Sequence, residues 1–421
     1  MKKALFAVVA ASSLLFAESY QVNTLSTRQL GMAHTGAGIK LGSESMHFNP
    51  GGLGFVDKTL DVSAGATFIM PEVEFYGKNG KTTNTQMGTP FYVYAASSIT
   101  DWLSAGLSFT TPYGNSADYG KDWEGAGLLQ DISLQVFALQ PTIAFKFLDK
   151  ISVGGGPVIY FGSFEQSKDM VNPDLPPGMA FGTFSGDADL AVVANVGILY
   201  DLIPNRLALG IAYRSEAKMK VSDGKTEINY ANPIAESMLS SNPTFIALSQ
   251  SKFKAELPLP ANLNTGISFR PIDKLLLAFD FQMIFWGIYD ELVMDFTVGD
   301  TPILKQVSKK DYSNTFAYRF GAQYSLMDQL DLRLGMYFDE TPVKDDYLTP
   351  ESPSTNKLGS TVGLSFRPIS NLSIDAAFLY ANGSGPFGRD ATSGDKKGED
   401  GLNGRYEVQA WVPSIGLSYS F

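Results

Sequence analysis

The chain has 421 residues, a formal net charge of −11, no cysteine, two histidines, 29 phenylalanines and 19 tyrosines. The acidic balance argues against a nucleic-acid partner, because phosphate binding needs a surplus of lysine and arginine. The absence of cysteine and the scarcity of histidine argue against disulfides and against a metal cluster, so we expect no metal and no cofactor.

The N-terminus has the layout of a secretory signal peptide. Lys2 and Lys3 form a basic start, an apolar stretch follows, and small residues lead to a cleavage position after Ala17. The apolar stretch is too short for a membrane-spanning helix. We therefore assign residues 1–17 to a signal peptide and expect an exported protein that begins near Glu18.

Residues 18–57 lack sustained alternation and are rich in glycine and small residues. About 40 residues without secondary structure are unusual unless they are functional. The rest of the chain is predicted below to form a wide β-barrel, whose lumen side chains alone cannot fill. This segment is therefore predicted to be a hatch that plugs the lumen. The alternative is a flexible periplasmic tail. Within the segment, Asn49, Pro50 and Gly51 form a turn signal.

Residues 58–421 repeat one plan, in which an alternating segment is followed by a short turn and another alternating segment. In one copy Leu275, Leu277 and Phe279 share a face, and Asp280 and Gln282 lie on the opposite face. The pattern predicts an all-β chain of about fourteen strands, at 59–75, 90–100, 102–113, 129–148, 150–165, 185–202, 205–222, 252–271, 273–298, 311–327, 329–341, 356–369, 371–382 and 404–421.

The connections between these strands alternate between short turns and long loops. Long loops are predicted at 76–89, 114–128, 166–184, 223–251, 299–310, 342–355 and 383–403. An even strand number with this alternation is typical of an antiparallel outer-membrane β-barrel, and a charge facing lipid costs about 2–4 kcal/mol. We therefore expect Asp280, Arg319, Arg333 and Asp375 to face the lumen. A soluble β-sandwich is the alternative.

Several motifs resemble the FadL/TodX family of outer-membrane transporters for hydrophobic compounds. They are Gly31-Met32-Ala33, Phe48-Asn49-Pro50-Gly51-Gly52-Leu53, Pro112-Tyr113-Gly114, Asp122-Trp123, Leu257-Pro258-Leu259-Pro260 and Thr341-Pro342-Val343. Gly51 stands where the family has Ala, and Ala126 stands where it commonly has Arg. The resemblance implies a fourteen-stranded barrel, an N-terminal hatch and a sideways exit beside a kinked third strand.

The predicted loops 166–184 and 223–251 are more apolar than loops that face water usually are. They either pack together to close the barrel or form an apolar capture groove, and both can hold. The resemblance favours the groove, since these loops form the family's first binding site. The candidate groove residues are Met170, Leu175, Met179, Phe181, Phe184, Ile234, Met238, Leu239, Phe245 and Ile246.

A fatty acid also carries a carboxylate, which needs a cation or several donors inside the barrel. Strand parity places Arg214, Lys218, Lys220 and Arg319 in the lumen as candidates, although a lumenal cation is more often the partner of a lumenal Asp or Glu than a ligand-binding group. Near the new N-terminus, Tyr20 and Val22 are expected to reach a pocket beside the hatch, as the corresponding residues of the family do.

We predict passive transport across the outer membrane of a Gram-negative cell by a monomer without catalytic activity. Long-chain fatty acids are the expected ligand, captured by apolar loops and released sideways into lipid after the hatch moves. A carrier for monoaromatic hydrocarbons, a general aqueous porin and a lipase-like barrel are the alternatives. Neither histidine, His34 or His47, lies in a recognisable catalytic motif.

Overall fold

A computed structural model of the protein describes residues 19–170, 177–383, 387–388 and 402–421. The predicted signal peptide at 1–17 lies outside these residues, as does Leu175. No helix among the described residues is long and apolar enough to cross a membrane.

The helices of the described residues are short. The α-helices are α1 Thr27–Leu30, α2 Ser45–Phe48, α3 Pro233–Leu239 and α4 Pro243–Ser249. Turns of 3₁₀-helix lie at Gly42–Glu44, Pro50–Phe55, Trp286–Ile288 and Asp345–Tyr347. Asn232 and Asn242 cap α3 and α4, each accepting hydrogen bonds from the first-turn amides, and proline follows each cap.

The strands form a single antiparallel sheet. Its first half consists of β1 Asp61–Thr67, β2 Met70–Gly77, β3 Gly80–Asn84, β4 Phe91–Thr100, β5 Leu103–Asp118, β6 Asp131–Phe147, β7 Ile151–Asp169, β8 Ala180–Ile203, β9 Leu207–Arg214 and β10 Ala217–Tyr230. Its second half consists of β11 Lys252–Leu259, β12 Asn262–Ile272, β13 Leu275–Ile284, β14 Glu291–Val298, β15 Thr301–Lys309, β16 Thr315–Met327, β17 Leu330–Asp339, β18 Lys357–Ile369, β19 Leu372–Gly383, β20 Phe387–Gly388 and β21 Arg405–Ser420.

The sheet closes on itself, because β1 pairs with β21 from Asp61↔Ser420 to Thr67↔Ser414. Several wall strands are split by a bulge or break into two segments, such as β9 with β10 and β13 with β14. When the two segments of each split strand are counted as one, the sheet is a closed barrel of 14 antiparallel strands. The predicted fold is confirmed, and closure removes the unpaired edges that an open sheet would expose.

The two faces of the wall differ as the alternation predicts. Leu334, Leu358 and Ile415 are more than half exposed and lie on the outer face. The charged residues predicted to be lumenal (Asp280, Arg319, Arg333 and Asp375) are all buried. This arrangement suits a barrel whose outer surface contacts hydrocarbon, where an unpaired charge is costly.

Two of the predicted loops are largely strand. Residues 299–310 contain the turn and the second strand of a hairpin, since β15 pairs with β14 through a tight turn at Gly299. Within 76–89, β3 pairs with the end of β2. These hairpins extend the wall beyond the apolar band, which is why their outward faces carry charge and obscured the alternation. Lys218 and Lys220 also differ from prediction, because the break between β9 and β10 shifts the phase by one residue. Both lie on the outer face, paired with Glu256.

The segment from Ser19 to Val56 fills the lumen as a hatch and is not a free tail. Its backbone approaches the wall at glycines. A Cβ on Gly210 would lie 1.7 Å from the Ala37 carbonyl oxygen, and a Cβ on Gly154 would lie 2.2 Å from the Pro50 oxygen. These wall glycines are needed for close approach, not for an unusual φ.

Polar contacts from the wall hold the hatch in place. The Asp280 carboxylate accepts from the amides of Gly36 at 2.6 Å and Ala37 at 2.8 Å. The Asn49 side-chain amide donates to the Ala37 oxygen at 2.6 Å and to the Ile198 oxygen at 3.0 Å. The Asn49 side-chain oxygen accepts from the Gly51 amide at 3.0 Å, so Asn49 also caps the 3₁₀-helix at Pro50–Phe55. The sequence predicts only a turn here.

Candidate ligand-binding site

An apolar cavity of about 800 Å³, including the space at its mouth, lies between the hatch and the extracellular loops. Inward-facing side chains from neighbouring strands supply its walls, because β6 and β10 each point alternate residues into the lumen. The main apolar lining residues are Ile132, Leu134, Phe164, Ala188, Met219, Val221, Leu257, Leu292 and Met294.

Polar groups are concentrated at one end of this cavity. The Lys310 ammonium is buried there, forms an ion pair with Glu351, and donates to the Thr349 hydroxyl at 3.0 Å. Burial by itself raises the pKa of Glu351, but the Lys310 ammonium outweighs burial and holds the pKa below its ordinary value. The hydroxyls of Tyr312 and Ser352 lie 3.2 Å apart at the same end. The cavity therefore has an apolar body and a polar end.

Tyr20 lines the hatch side of the cavity and belongs to a cluster of aromatic rings. The Tyr20 ring packs edge-on against Trp286, with centroids 4.9 Å apart, and lies 6.3 Å from the ring of Tyr113. Its hydroxyl donates to the Pro258 carbonyl oxygen. Tyr113 in turn packs against Tyr160 at 5.8 Å. These rings form a partition between the apolar cavity and the lumen below.

Below the partition lies a polar cavity of about 510 Å³, including the space at its mouth. Its lining residues are Gln21, Asn23, His34, Ala37, His47, Phe48, Asn195, Arg214, Asn262, Asn264, Asp280, Gln282 and Arg319. The Arg214 guanidinium lies 3.2 Å from His47 Nδ1 and donates to the His47 carbonyl oxygen at 3.1 Å. Burial lowers the pKa of His47 well below its ordinary value and the Arg214 charge lowers it further, so the His47 ring is neutral.

The N-terminal end of the hatch lies against β5, the third strand of the barrel. The ladder between β4 and β5 ends at Tyr92↔Thr110, and β5 carries a bulge between Thr110 and Tyr113. Within the bulge, Pro112 O accepts from the amide of Val22 at 2.8 Å. Gly114 donates its amide to Tyr20 O at 2.9 Å. Residues 20–22 thus cover an edge of β5 that has parted from β4.

The apolar extracellular loops contain both buried and exposed side chains. Leu239 and Phe245 are buried with Ala180, and Met170 and Met179 pack against them. Phe184 is buried in a neighbouring cluster. On the outer side of α3 and α4, by contrast, Ile234, Met238 and Ile246 are 71%, 54% and 40% exposed. Phe181 lies beneath the Lys121 ammonium at 4.5 Å.

The structure separates the predicted site residues into distinct places. Tyr20 lines the apolar cavity, whereas Arg214 and Arg319 line the polar cavity. Val22 lines a smaller neighbouring cavity, and Lys220 lies outside the barrel. Sequence reasoning missed Met219, whose parity was misassigned at the break in the strand. It also missed Lys310 and Glu351, which fall in the predicted loops 299–310 and 342–355, and Tyr312, which falls in the predicted strand 311–327. A buried lysine in a loop leaves no periodic pattern in the sequence.

Comparison with known proteins identifies the family. The family profile described as "Outer membrane protein transport protein (OMPP1/FadL/TodX)" matches residues 8–421. The chain is 25% identical to the long-chain fatty acid transport protein of Salmonella typhi, covering 99% of this chain and 97% of that one. It is 21% identical to outer membrane protein P1 of Haemophilus influenzae, covering 96% and 95% respectively.

Solved structures share the fold. A Pseudomonas aeruginosa FadL homologue superposes with a TM-score of 0.80 at 18% identity, covering 96% of this chain and 100% of the homologue. The toluene transporter TbuX of Ralstonia pickettii gives a TM-score of 0.70 at 16% identity, covering 94% and 98%. The chain therefore belongs to the FadL/TodX family of transporters that carry hydrophobic compounds across the outer membrane of Gram-negative bacteria.

Proposed function

We propose that this protein carries long-chain fatty acids passively across the outer membrane. The observation that supports this most directly is the apolar cavity of about 800 Å³ with a polar end at Lys310. A long acyl chain gains about 0.8 kcal/mol for each methylene that it buries, so such a cavity favours an extended chain over a small ring. The buried hydroxyls and ammonium at the polar end suit a carboxyl group.

Capture would begin on the exposed apolar side chains of α3 and α4. Ile234, Met238 and Ile246 offer a surface that water solvates poorly, and the flexible Met238 side chain can adapt to ligands of different shape. The ligand would then enter the cavity between the loops. Both steps need only the loss of exposed apolar surface, so we propose no energy source, cofactor or catalytic group.

Release would follow movement of the N-terminal end of the hatch. Tyr20 lines the apolar cavity, and residues 20–22 cover the parted edge of β5, so displacement of this segment would open both together. The gap between β4 and β5 leads sideways towards lipid, and we propose it as the exit. The whole path lies within one barrel, which supports a monomer as the working unit.

A cavity-filling substitution tests the proposal. Leu134→Trp should occupy the apolar cavity and lower the affinity for oleate, while the matched control Leu332→Trp, on the outer face, should bind oleate as the unmodified protein does. Affinity can be measured by titration of the purified barrel in detergent. Equal oleate affinity in both variants would show that the acyl chain binds elsewhere.

Uptake measurements separate this proposal from its alternatives. Cells with the protein should accumulate labelled oleate faster than cells without it. Uptake of toluene but not of oleate would place the protein among carriers of neutral hydrocarbons. Large, steady conductance in a planar bilayer would indicate an aqueous porin, whereas a barrel filled by residues 19–56 should conduct little.

A further inference from the structure

Arg214 has an unusual position for a cation inside the barrel. It ends β9, and Asn195 and Asn262 are its register partners on the two neighbouring strands, so an arginine and two amides form a polar row across the wall. All three line the polar cavity. Among the described residues, no carboxylate forms an ion pair with Arg214, and its buried Nε–H has no hydrogen-bond partner.

Neighbouring lumenal cations have acidic partners. Arg319, which lines the same cavity, lies 3.5 Å from Asp339, and Lys310 in the apolar cavity is paired with Glu351. A charge held away from bulk water without a counter-ion is costly, and a fold retains one at a cavity most readily where an anion binds. Asp280 also lines the polar cavity, but its carboxylate accepts from the hatch amides of Gly36 and Ala37. Among the described residues, Arg214 therefore has no ion-pair partner, whereas Lys310 has one.

We propose that Arg214 is a second binding station, at which the carboxylate of the fatty acid is held in the polar cavity after it leaves the apolar one. This inference rests on the proposed transport of fatty acids. Guanidinium suits the role, because its planar array of N–H donors matches a carboxylate and remains charged at any physiological pH.

The position of the hatch connects the two cavities. Ser19 and Tyr20 line the apolar cavity, and Gln21 and Asn23 line the polar one, so this short segment of the hatch is part of the partition between them. When it moves, a head group at the polar end can descend to Arg214 while the acyl chain stays above. The chain would then lie beside the edge of β5 that the same segment had covered.

This arrangement makes the carboxylate a requirement for passage. A neutral hydrocarbon can enter the apolar cavity, but it gains nothing in a cavity lined by Arg214, asparagine and histidine side chains. An acyl chain with an anionic head gains an ion pair there. The inference thus names the substrate class as carboxylate-bearing amphiphiles and assigns Arg214 to translocation, not to first binding.

Two variants of Arg214 test the inference in proteoliposomes that contain the full barrel. Arg214→Gln removes the charge but keeps a donor to the His47 carbonyl, and Arg214→Lys keeps the charge. For each variant, equilibrium binding and the rate of transfer into the bilayer are measured with oleate and with its neutral analogue, oleyl alcohol. Barrel conductance reports whether the hatch remains docked.

For Arg214→Gln we expect oleate transfer to fall about tenfold or more, the effect of losing one charge-assisted hydrogen bond. Oleyl alcohol binding, oleyl alcohol transfer and conductance should be unchanged, and Arg214→Lys should restore most of the oleate transfer. Equal loss of transfer for both ligands, or no loss for either, would overturn the inference. Failure of the unmodified protein to bind or transfer oleate would instead overturn the proposed function.

Discussion

Removal of the Asp280 carboxylate should release the hatch from the wall. In the structure one oxygen of this side chain accepts from the amides of both Gly36 and Ala37, at 2.6 and 2.8 Å, and the site is buried. A hydrogen bond to a charged group contributes about 1.5–3 kcal/mol, so Asp280→Ala should cost the docked hatch about 3 kcal/mol or more. That figure corresponds to a roughly hundredfold increase in the undocked population.

Asp280→Asn is the matched comparison for Asp280→Ala, since its side-chain carbonyl oxygen can still accept from the amides of Gly36 and Ala37. We expect it to lose about 1 kcal/mol, the difference between charged and neutral acceptors. Asp295→Ala, on the exposed face of the β14–β15 hairpin, controls for the loss of one negative charge.

Conductance in a planar bilayer and hydrogen exchange at the amides of residues 36 and 37 are the measurements. The Asp280→Ala barrel should conduct more often, and its amides 36 and 37 should exchange faster, than in the unmodified protein. Both quantities should be intermediate in Asp280→Asn and unchanged in Asp295→Ala. If Asp280→Ala exchanges at the rate of the unmodified protein, the two hydrogen bonds do not hold the hatch and the reasoning is wrong.

Three further predictions concern the hatch and the exit. Gly210→Val should prevent docking of the hatch, because its Cβ would lie 1.7 Å from the Ala37 oxygen. Conductance should then rise well above that of the unmodified barrel, and an unchanged low conductance would contradict this. Thr111→Val should speed lateral release of ligand. The Thr111 hydroxyl accepts from Phe91 N–H at 3.0 Å and donates to Phe91 O at 3.2 Å, where the β4–β5 ladder ends. An unchanged rate of ligand transfer to lipid would show that these two hydrogen bonds do not limit release. Burial lowers the pKa of His47, so the folded hatch binds fewer protons than the unfolded one, and its stability should fall as the pH drops below about 6.5. Hydrogen exchange of the hatch at pH 7 and pH 5 measures this, and His47→Gln should reduce the difference.

The barrel was predictable because its rules are local. Alternate residues of a strand face opposite sides, so a charge such as Asp280 between Phe279 and Phe281 fixes which face meets lipid. The same rule fails at the break between β9 and β10, where a shift of one residue exchanges the inward and outward positions. Lys220 was placed in the lumen for that reason, and Met219, which lines the cavity, was overlooked.

The site was predictable only in part. Tyr20 was assigned to a pocket beside the hatch from a resemblance, and it does line one, but Lys310 and Glu351 belong to segments whose sequence has no period to interpret. Their pairing joins residues 41 positions apart, and no local pattern encodes it.

By itself, the sequence determined the all-β class, the strand number, the outward apolar face and the existence of a separate glycine-rich N-terminal segment. These follow from side-chain alternation and from the cost of placing charge in hydrocarbon, both of which act within a few residues. Tertiary structure alone decided how the lumen is divided, which cations have counter-ions, and where β5 parts from β4. Those features depend on contacts between distant segments, such as Arg214 with His47, whose geometry exists only once the barrel has closed around the hatch.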